Sequence, residues 1–330
     1  MSERKKLILN CDPGTEDSLC IVMGLMSRDI ELLAVTAESG NLTSDKTSMN
    51  ALRIMELMGR SDVPVARGML HPLVRKHPSD PYSHGVDGLG NHFFPEPKLP
   101  LYDKHAALTI IEQVRKYPGE VTILCTSPMT NIALAFMLDP DIIPMVKEVY
   151  FLGGSYGITD FAFSNATGDN PMSEWNVYVD PEAANIVFSS GVKLTTIGLD
   201  VAFNPQWVNI LPETLRKLEK VNSVSSRYAL EIIDYVDKNN SLPDLFNNGP
   251  IDTVAMCSVI CPDIIKTQEI SVLIDTSDSQ LTRGMTIWDR RNHFQWEDMD
   301  RIHTAYVIDA EKYNRVFFEA VTGLDWDEVE

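Results

Sequence analysis

Short apolar runs of strand length alternate along this chain with stretches of helical periodicity, and that alternation leaves few folds open. Residues 7–11, 32–36, 121–125 and 149–152 are brief and almost wholly apolar. Runs of that kind, hydrophobic without a polar alternate, are what a strand covered on both faces requires. A helical pattern follows most of them. After the first comes a stretch from about Asp17 to Met26; after the second, one beginning near Ser44, where Ala51, Ile54, Met55 and Met58 fall at i, i+3, i+4 and i+7 on one helical face. After the third come residues 131–138. Later, Asp180-Pro181 places a capping carboxylate before a proline at the first helical position, and Gly191 closes that helix.

The pattern predicts an α/β fold: a single open, mostly parallel, Rossmann-like sheet flanked by helices, with any ligand at the carboxyl ends of the strands. No internal repeat, low-complexity tract or linker-like shift divides the chain, so residues 1–330 read as one domain. One segment is irregular. Residues 71–100 are rich in Pro, Gly and His, and a long loop of this kind inside a compact domain is usually functional or disordered. Its centre, His84-Gly-Val-Asp-Gly-Leu-Gly90, reads as a shaped loop.

Charge narrows the partners. The formal net charge is -19, which repels polyphosphates and anionic lipid, so a nucleic-acid polymer or a membrane surface is not expected as partner. A small neutral ligand is unaffected. The five cysteines form no Cys-x-x-Cys pair and no zinc-like spacing with His, and read as free thiols in apolar runs. The first residues run straight into a strand without the apolar core of a secretion signal, and no apolar run reaches membrane-spanning length, so a cytoplasmic address is expected.

The strongest chemical signal is Asn10-Cys-Asp12-Pro-Gly-Thr-Glu16-Asp17. A strand ends, Pro-Gly turns the chain, and three acids crowd into six positions at the place where α/β sheets bind ligands. Carboxylates so close repel one another unless a cation joins them, and hard oxygen ligands favour Ca²⁺ or Mg²⁺ over zinc. The alternative is that Glu16 or Asp17 only complements a helix N-terminus. Asn41 and Thr126 sit at other strand ends and would face the same crevice. Glu174 and Asn176, two apart, share a side if their segment is extended, and such a pair can grip neighbouring sugar hydroxyls. Asp252 opens an otherwise apolar helix, either as a cap or as a further acid for the site.

These residues resemble the inosine–uridine nucleoside hydrolase family, whose hallmark is an Asp-x-Asp-Pro-Gly-x-Asp-Asp turn after the first strand. Further landmarks follow in family order: Gly40-Asn41, His84-Gly-x-Asp-Gly-Leu-Gly90, Thr126-Ser-Pro-Met-Thr-Asn131, Leu152-Gly-Gly154, Ser173-Glu-Trp-Asn-Val-Tyr-Val-Asp-Pro-Glu-Ala-Ala184, Asp252 and Thr282-Arg-Gly-Met-Thr-Ile-Trp-Asp289. The resemblance implies calcium-dependent hydrolysis of the N-glycosidic bond of a ribonucleoside. It implies one Ca²⁺ held by Asp12, Asp17, the backbone carbonyl of Thr126 and Asp252, with Asp12 also the general base on a water. Glu16, Asn41, Glu174 and Asn176 would bind ribose, joined by Asn170. A role in nucleoside salvage and a homodimer or homotetramer are implied as well.

Three positions depart from the family pattern. Asn10 stands where the family has Asp, in a supporting position; Glu16 replaces an Asp; and Ile251 stands where many members carry a leaving-group His. His84 is then the candidate proton donor to the departing base. Trp175 and Trp288 are candidates for stacking on a base, core packing being their other role. A haloacid-dehalogenase-type phosphatase would need a nucleophilic Asp at Asn10, and neither a dinucleotide-binding nor a P-loop glycine pattern is present. The serious rival is a nucleoside- or ribose-binding homologue that keeps the metal but has lost turnover.

Overall fold

The computed structural model describes residues 3–78, 83–160, 162, 167–239, 249–291 and 301–329. Its centre is a nine-stranded sheet in the order β3-β2-β1-β4-β5-β6-β9-β7-β8. In chain order the strands are β1 (Lys5–Cys11), β2 (Ile30–Ala37), β3 (Val65–Arg67), β4 (Val121–Cys125), β5 (Glu148–Leu152), β6 (Leu194–Ile197), β7 (Ile265–Ile274), β8 (Thr286–Trp288) and β9 (Arg301–Ile308). From β3 across to β9 every pairing is parallel. The far edge, β9-β7-β8, is antiparallel. The open, mostly parallel sheet expected from the alternation is therefore present, with an antiparallel border that the sequence pattern did not announce.

Eleven helices connect or follow these strands among the described residues: α1 (Thr15–Met26), α2 (Ser44–Leu57), α3 (Ala106–Lys116), α4 (Thr130–Leu138), α5 (Trp175–Val179), α6 (Pro181–Phe188), α7 (Leu199–Ala202), α8 (Pro212–Val221), α9 (Val224–Asn239), α10 (Asp252–Ile260) and α11 (Ala310–Thr322). They cover both faces. Along β1, Leu7, Leu9 and Cys11 enter the core shared with α1, α10 and α11, while Ile8 enters the core shared with α3, α4 and α6. That two-sided burial explains why the strands read as continuous apolar runs. All five cysteines are free thiols, and four are buried. No helix among the described residues is long and apolar enough to cross a membrane.

The sheet order reverses between β1 and β4: the chain moves outward to β2 and β3 on one side, then returns to β4 and proceeds through β5 and β6 on the other. At such a switch point the loops leaving two adjacent strands diverge and open a crevice. Asn10 lies opposite Thr36 on one neighbour and Cys125 on the other. The turns after β1, β2 and β4 are thereby brought to one spot.

No helix or strand is formed between Arg67 and Ala106 among the described residues, as the composition of that stretch implied. The loop is nonetheless shaped. Asp87 accepts backbone N–H groups of Leu89, Asn91 and Phe93, and Gly85 and Gly88 adopt the left-handed conformation that closes the turn around it. Asn50 on α2 donates to the carbonyls of both Asp87 and Pro13, tying the loop to the turn after β1.

Candidate active site

Asp12 follows β1 and is fully buried. Its Oδ2 accepts the backbone N–H of Asn41 at 2.5 Å, whereas its Oδ1 has no hydrogen-bond partner among the described residues. Asp17 is buried in the first turn of α1. Its Oδ1 accepts the Thr126 hydroxyl at 2.7 Å and the Asp12 N–H at 3.4 Å; its Oδ2 accepts the Asn41 amide at 3.1 Å and the Gly14 N–H at 3.3 Å. Asp17 thus serves the helix terminus, as the simpler sequence reading held, and joins three strand ends as well.

Asp252 comes from the start of α10 and is 6 % exposed. It does not cap its own helix: Ile251 occupies the cap position, with helical backbone angles and no side-chain bond to the first turn. Burial pushes the Asp252 carboxyl well up, and the charges of Asp17, Glu16, Asp12 and Glu174 add to that effect. The acid some 240 positions downstream therefore sits within the field of the turn after β1. A direct link exists too, since Glu16 Oε1 accepts the Ile251 N–H at 3.1 Å.

Burial, then the neighbouring Asp17 charge, raises Asp12 well above the carboxylate range. Burial likewise raises Asp17, and it lifts Glu16 to about 7. Each ionisation in such a cluster is opposed by desolvation and by its neighbours. Among the described residues no group of three or more His, Cys, Asp or Glu side chains is placed to hold a metal ion. Any cation here would need main-chain oxygen as well.

Glu174 and Asn176 require a correction. The expected extended segment is instead α5, and Glu174 is its N-cap. Its Oε1 accepts the Asn176 N–H at 2.8 Å, and its Oε2 accepts the N–H groups of Gly154 and Val177, each at 3.0 Å. Burial raises this carboxyl to about 7. The Asn176 amide donates to the carbonyls of Leu152 at 2.9 Å and Thr126 at 3.2 Å, so it orients the Thr126 main chain. Asn170 donates to the Arg283 carbonyl at 2.9 Å and accepts from Met172 N–H and the Ser173 hydroxyl, which ties down the turn before α5.

His84 reaches the same place from the long loop. Its Nδ1 lies 3.3 Å from the Thr15 N–H, which donates to it, and 2.9 Å from the Thr15 hydroxyl. Accepting from the backbone puts the neutral ring's proton on Nε2, and the hydroxyl can rotate to accept from Nδ1 if the ring becomes doubly protonated. Trp175 is buried against Tyr178, and its Nε1 has no partner; Trp288 donates to the Tyr156 carbonyl at 2.7 Å and is fixed to that strand end.

Beneath Asp12 lies a buried network that sequence reading reached only in part. The Asn10 amide donates to Ser127 Oγ at 2.8 Å, and its Oδ1 accepts from Thr36 and Asn131. Asn10 is the supporting residue expected. Glu38, fully buried at the end of β2, was overlooked, although its place between a buried strand and Gly40-Asn41 was a visible signal.

Comparison with known proteins decides what this arrangement belongs to. Residues 7–315 match the family described as inosine-uridine preferring nucleoside hydrolase. The chain belongs to that family. It is 35% identical over 325 residues to the inosine-uridine preferring nucleoside hydrolase of Crithidia fasciculata, covering 97% of this chain and 98% of that one. A pyrimidine-specific ribonucleoside hydrolase of Shewanella baltica is 34% identical over 288 residues, 87% of each chain. The solved purine-preferring ribonucleoside hydrolase from Gardnerella vaginalis superposes with a TM-score of 0.85 at 29% identity, covering 97% of this chain and 98% of that one. A plant nucleoside hydrolase superposes at 0.84 with 26% identity, covering 97% and 99%. Family membership makes the chain a nucleoside hydrolase, an enzyme, and sets the phosphatase reading aside. The printed preferences of these relatives differ among inosine-uridine, pyrimidine and purine nucleosides, so membership alone carries no base preference.

Proposed function

We propose that this nucleoside hydrolase cleaves ribonucleosides to ribose and free base with calcium as cofactor and Asp12 as general base on the attacking water. One observation carries the reading: among the described residues Asp12 Oδ1 is buried without a hydrogen-bond partner, within the field of the Asp17 and Asp252 carboxyls. A native protein rarely leaves such an atom unsatisfied, and a hard divalent cation fits an all-oxygen set. Asp12, Asp17, Asp252 and the Thr126 carbonyl would hold it; Asn176 already orients that carbonyl. When bound, calcium supplies charge neutralisation for the acids and a lowered pKa for a water in the crevice.

The side chains do the rest. The Asn41 N–H fixes Asp12 through Oδ2, leaving Oδ1 to take the proton from water. Cleavage of an N-ribosidic bond builds positive charge on the sugar ring, and carboxylates around the ring stabilise it. Asn41, Glu174, Asn176, Glu16 and Asn170 would bind the ribose hydroxyls, with Glu174, Asn176 and Asn170 giving up part of their present main-chain bonding to do so, and His84, with its proton on Nε2, would serve the departing base. Attack by water in a single displacement gives inversion at the anomeric carbon. The proposed setting is nucleoside salvage in the cytoplasm by a homodimer or homotetramer of a single 1–330 domain, which the family likeness supports.

The test is a panel of purine and pyrimidine ribonucleosides, assayed for reducing-sugar release with calcium and with a chelator. Release that requires calcium is expected, and Asp12→Ala should abolish it while leaving the circular dichroism spectrum unchanged. No release from any member, with nucleoside binding intact, would instead establish a binding protein that has lost turnover.

A further inference from the structure

We infer that Glu38 is a positioning residue for Asp12: it carries, from β2, the buried acid that the family pattern places on β1, and Asn10 is an amide because Glu38 is there. The inference deepens the proposed function and rests on Asp12 being the base.

Three contacts fasten Glu38 under the site. Its Oε2 accepts the Asn131 N–H at 2.6 Å, at the start of α4. Its own N–H donates to the carbonyl of Cys11 at 2.8 Å, the residue before Asp12, and its carbonyl accepts the Thr47 hydroxyl at 2.7 Å. Three residues on, the Asn41 N–H holds Asp12 Oδ2. The loop that fixes the base is therefore anchored at Glu38.

Asn131 bridges the two positions. Its backbone donates to Glu38 and its side chain donates to Asn10 Oδ1 at 3.2 Å, which Thr36 also serves at 2.9 Å. Asn10 then spends its amide protons on Ser127 Oγ at 2.8 Å and toward the Pro128 carbonyl at 3.4 Å. An Asp at position 10 would offer lone pairs to that carbonyl and would put a second carboxyl into one dry network with Glu38, where like groups oppose each other's ionisation. Among the described residues Glu38 Oε1 is buried without a hydrogen-bond partner, and the Asn10 side chain is near enough to favour the ionised Glu38 carboxyl, so the two positions share one network. Burial, with the Asp180 charge added, keeps the Glu38 carboxyl well above the usual range.

The two positions are thus exchangeable as a pair and not singly. The experiment is the cycle of Glu38→Gln, Asn10→Asp and the double variant, made in the full chain. Each is read by kcat and KM on the fastest nucleoside of the panel, by calcium titration calorimetry and by thermal midpoint. Each single variant is expected to lose about tenfold or more in kcat with a smaller change in KM, because a displaced base affects the transition state more than substrate binding. The double variant is expected to return to within about threefold of the parent in kcat and to recover the thermal midpoint lost in Asn10→Asp. Single effects that simply multiply, or a Glu38→Gln variant indistinguishable from the parent, overturn the inference. Should one single variant fail to fold, a folded double variant supports the pairing and an unfolded one refutes it. The calorimetric and thermal readouts stand even if no nucleoside is cleaved, so inactivity of the parent would count against the catalytic reading alone.

Discussion

Gly40 lacks a side chain because Asp12 occupies the space one would need. A Cβ built there lies 1.9 Å from Asp12 Oδ2 and 2.6 Å from the Pro128 ring, against 3.4 Å for the start of ordinary contact. Its backbone is not in the left-handed region, so Gly40→Ala introduces a clash without conformational strain. The carboxylate must give way by about 1.5 Å, and the contact with Pro128 must open by about 0.8 Å as well. Asp12 would then lose the Asn41 N–H and its alignment on the water. A misplacement of that size at a catalytic group costs about 100-fold, equivalent to ~2.7 kcal/mol of transition-state stabilisation. Reducing-sugar release under saturating calcium would show the loss in kcat/KM, while circular dichroism should show a folded protein. Activity within about threefold of the parent would mean that Asp12 need not sit where it does, and the assignment of the base would fall.

Three further outcomes are expected. Thr126→Val keeps the main-chain carbonyl but deletes the 2.7 Å hydroxyl bond to Asp17, and should weaken calcium binding by about tenfold in calorimetry; unchanged affinity would remove the hydroxyl from the site's support. Burial raises Glu174 from an ordinary value of 4.5 to about 7, so between those limits the folded protein keeps a proton that the unfolded chain has released. Stability must then fall as pH rises from about 5 to 7; a metal-free thermal midpoint that climbs over that range contradicts the assignment. Calcium at 100 times its dissociation constant should stabilise the protein by about 2.7 kcal/mol, a shift of about 4 °C at this chain length, and scanning calorimetry with calcium against chelator would expose its absence.

Much of this site is legible before any coordinates. A buried parallel strand is recognisable as an uninterrupted apolar run, and the chemistry of such sheets gathers at their carboxyl ends, so Asp12, Asn41 and Thr126 could be placed together from their positions alone. Other features follow from tertiary contacts that no local pattern encodes. Five residues of helix at α5 show too little periodicity to reveal themselves, and the Glu174 cap became visible only with the fold. The antiparallel border places β9, late in the chain, between β6 and β7, an order that strand periodicity does not contain. Glu38 stayed hidden for a related reason. A lone acid at a strand end reads as an exposed turn residue until the helix above it is known to bring the Asn131 N–H onto it.

Glu16, one of the departures from the family pattern, also ties distant parts of the chain together. Glu16 reaches across to the Ile251 N–H at 3.1 Å, satisfying a backbone donor at the start of α10. The extra methylene that distinguishes Glu from Asp gives the acid that reach, and the helix it steadies is the one that opens with Asp252. The bond ties the start of the helix that carries Asp252 to the turn after β1, within the field of Asp17. Shortening Glu16 to Asp would break this link and free α10 to shift, so that a change toward the family pattern at this single position costs calcium affinity. Calorimetry on Glu16→Asp decides the matter: equal affinity in the parent and the variant would show that the link does nothing for the metal.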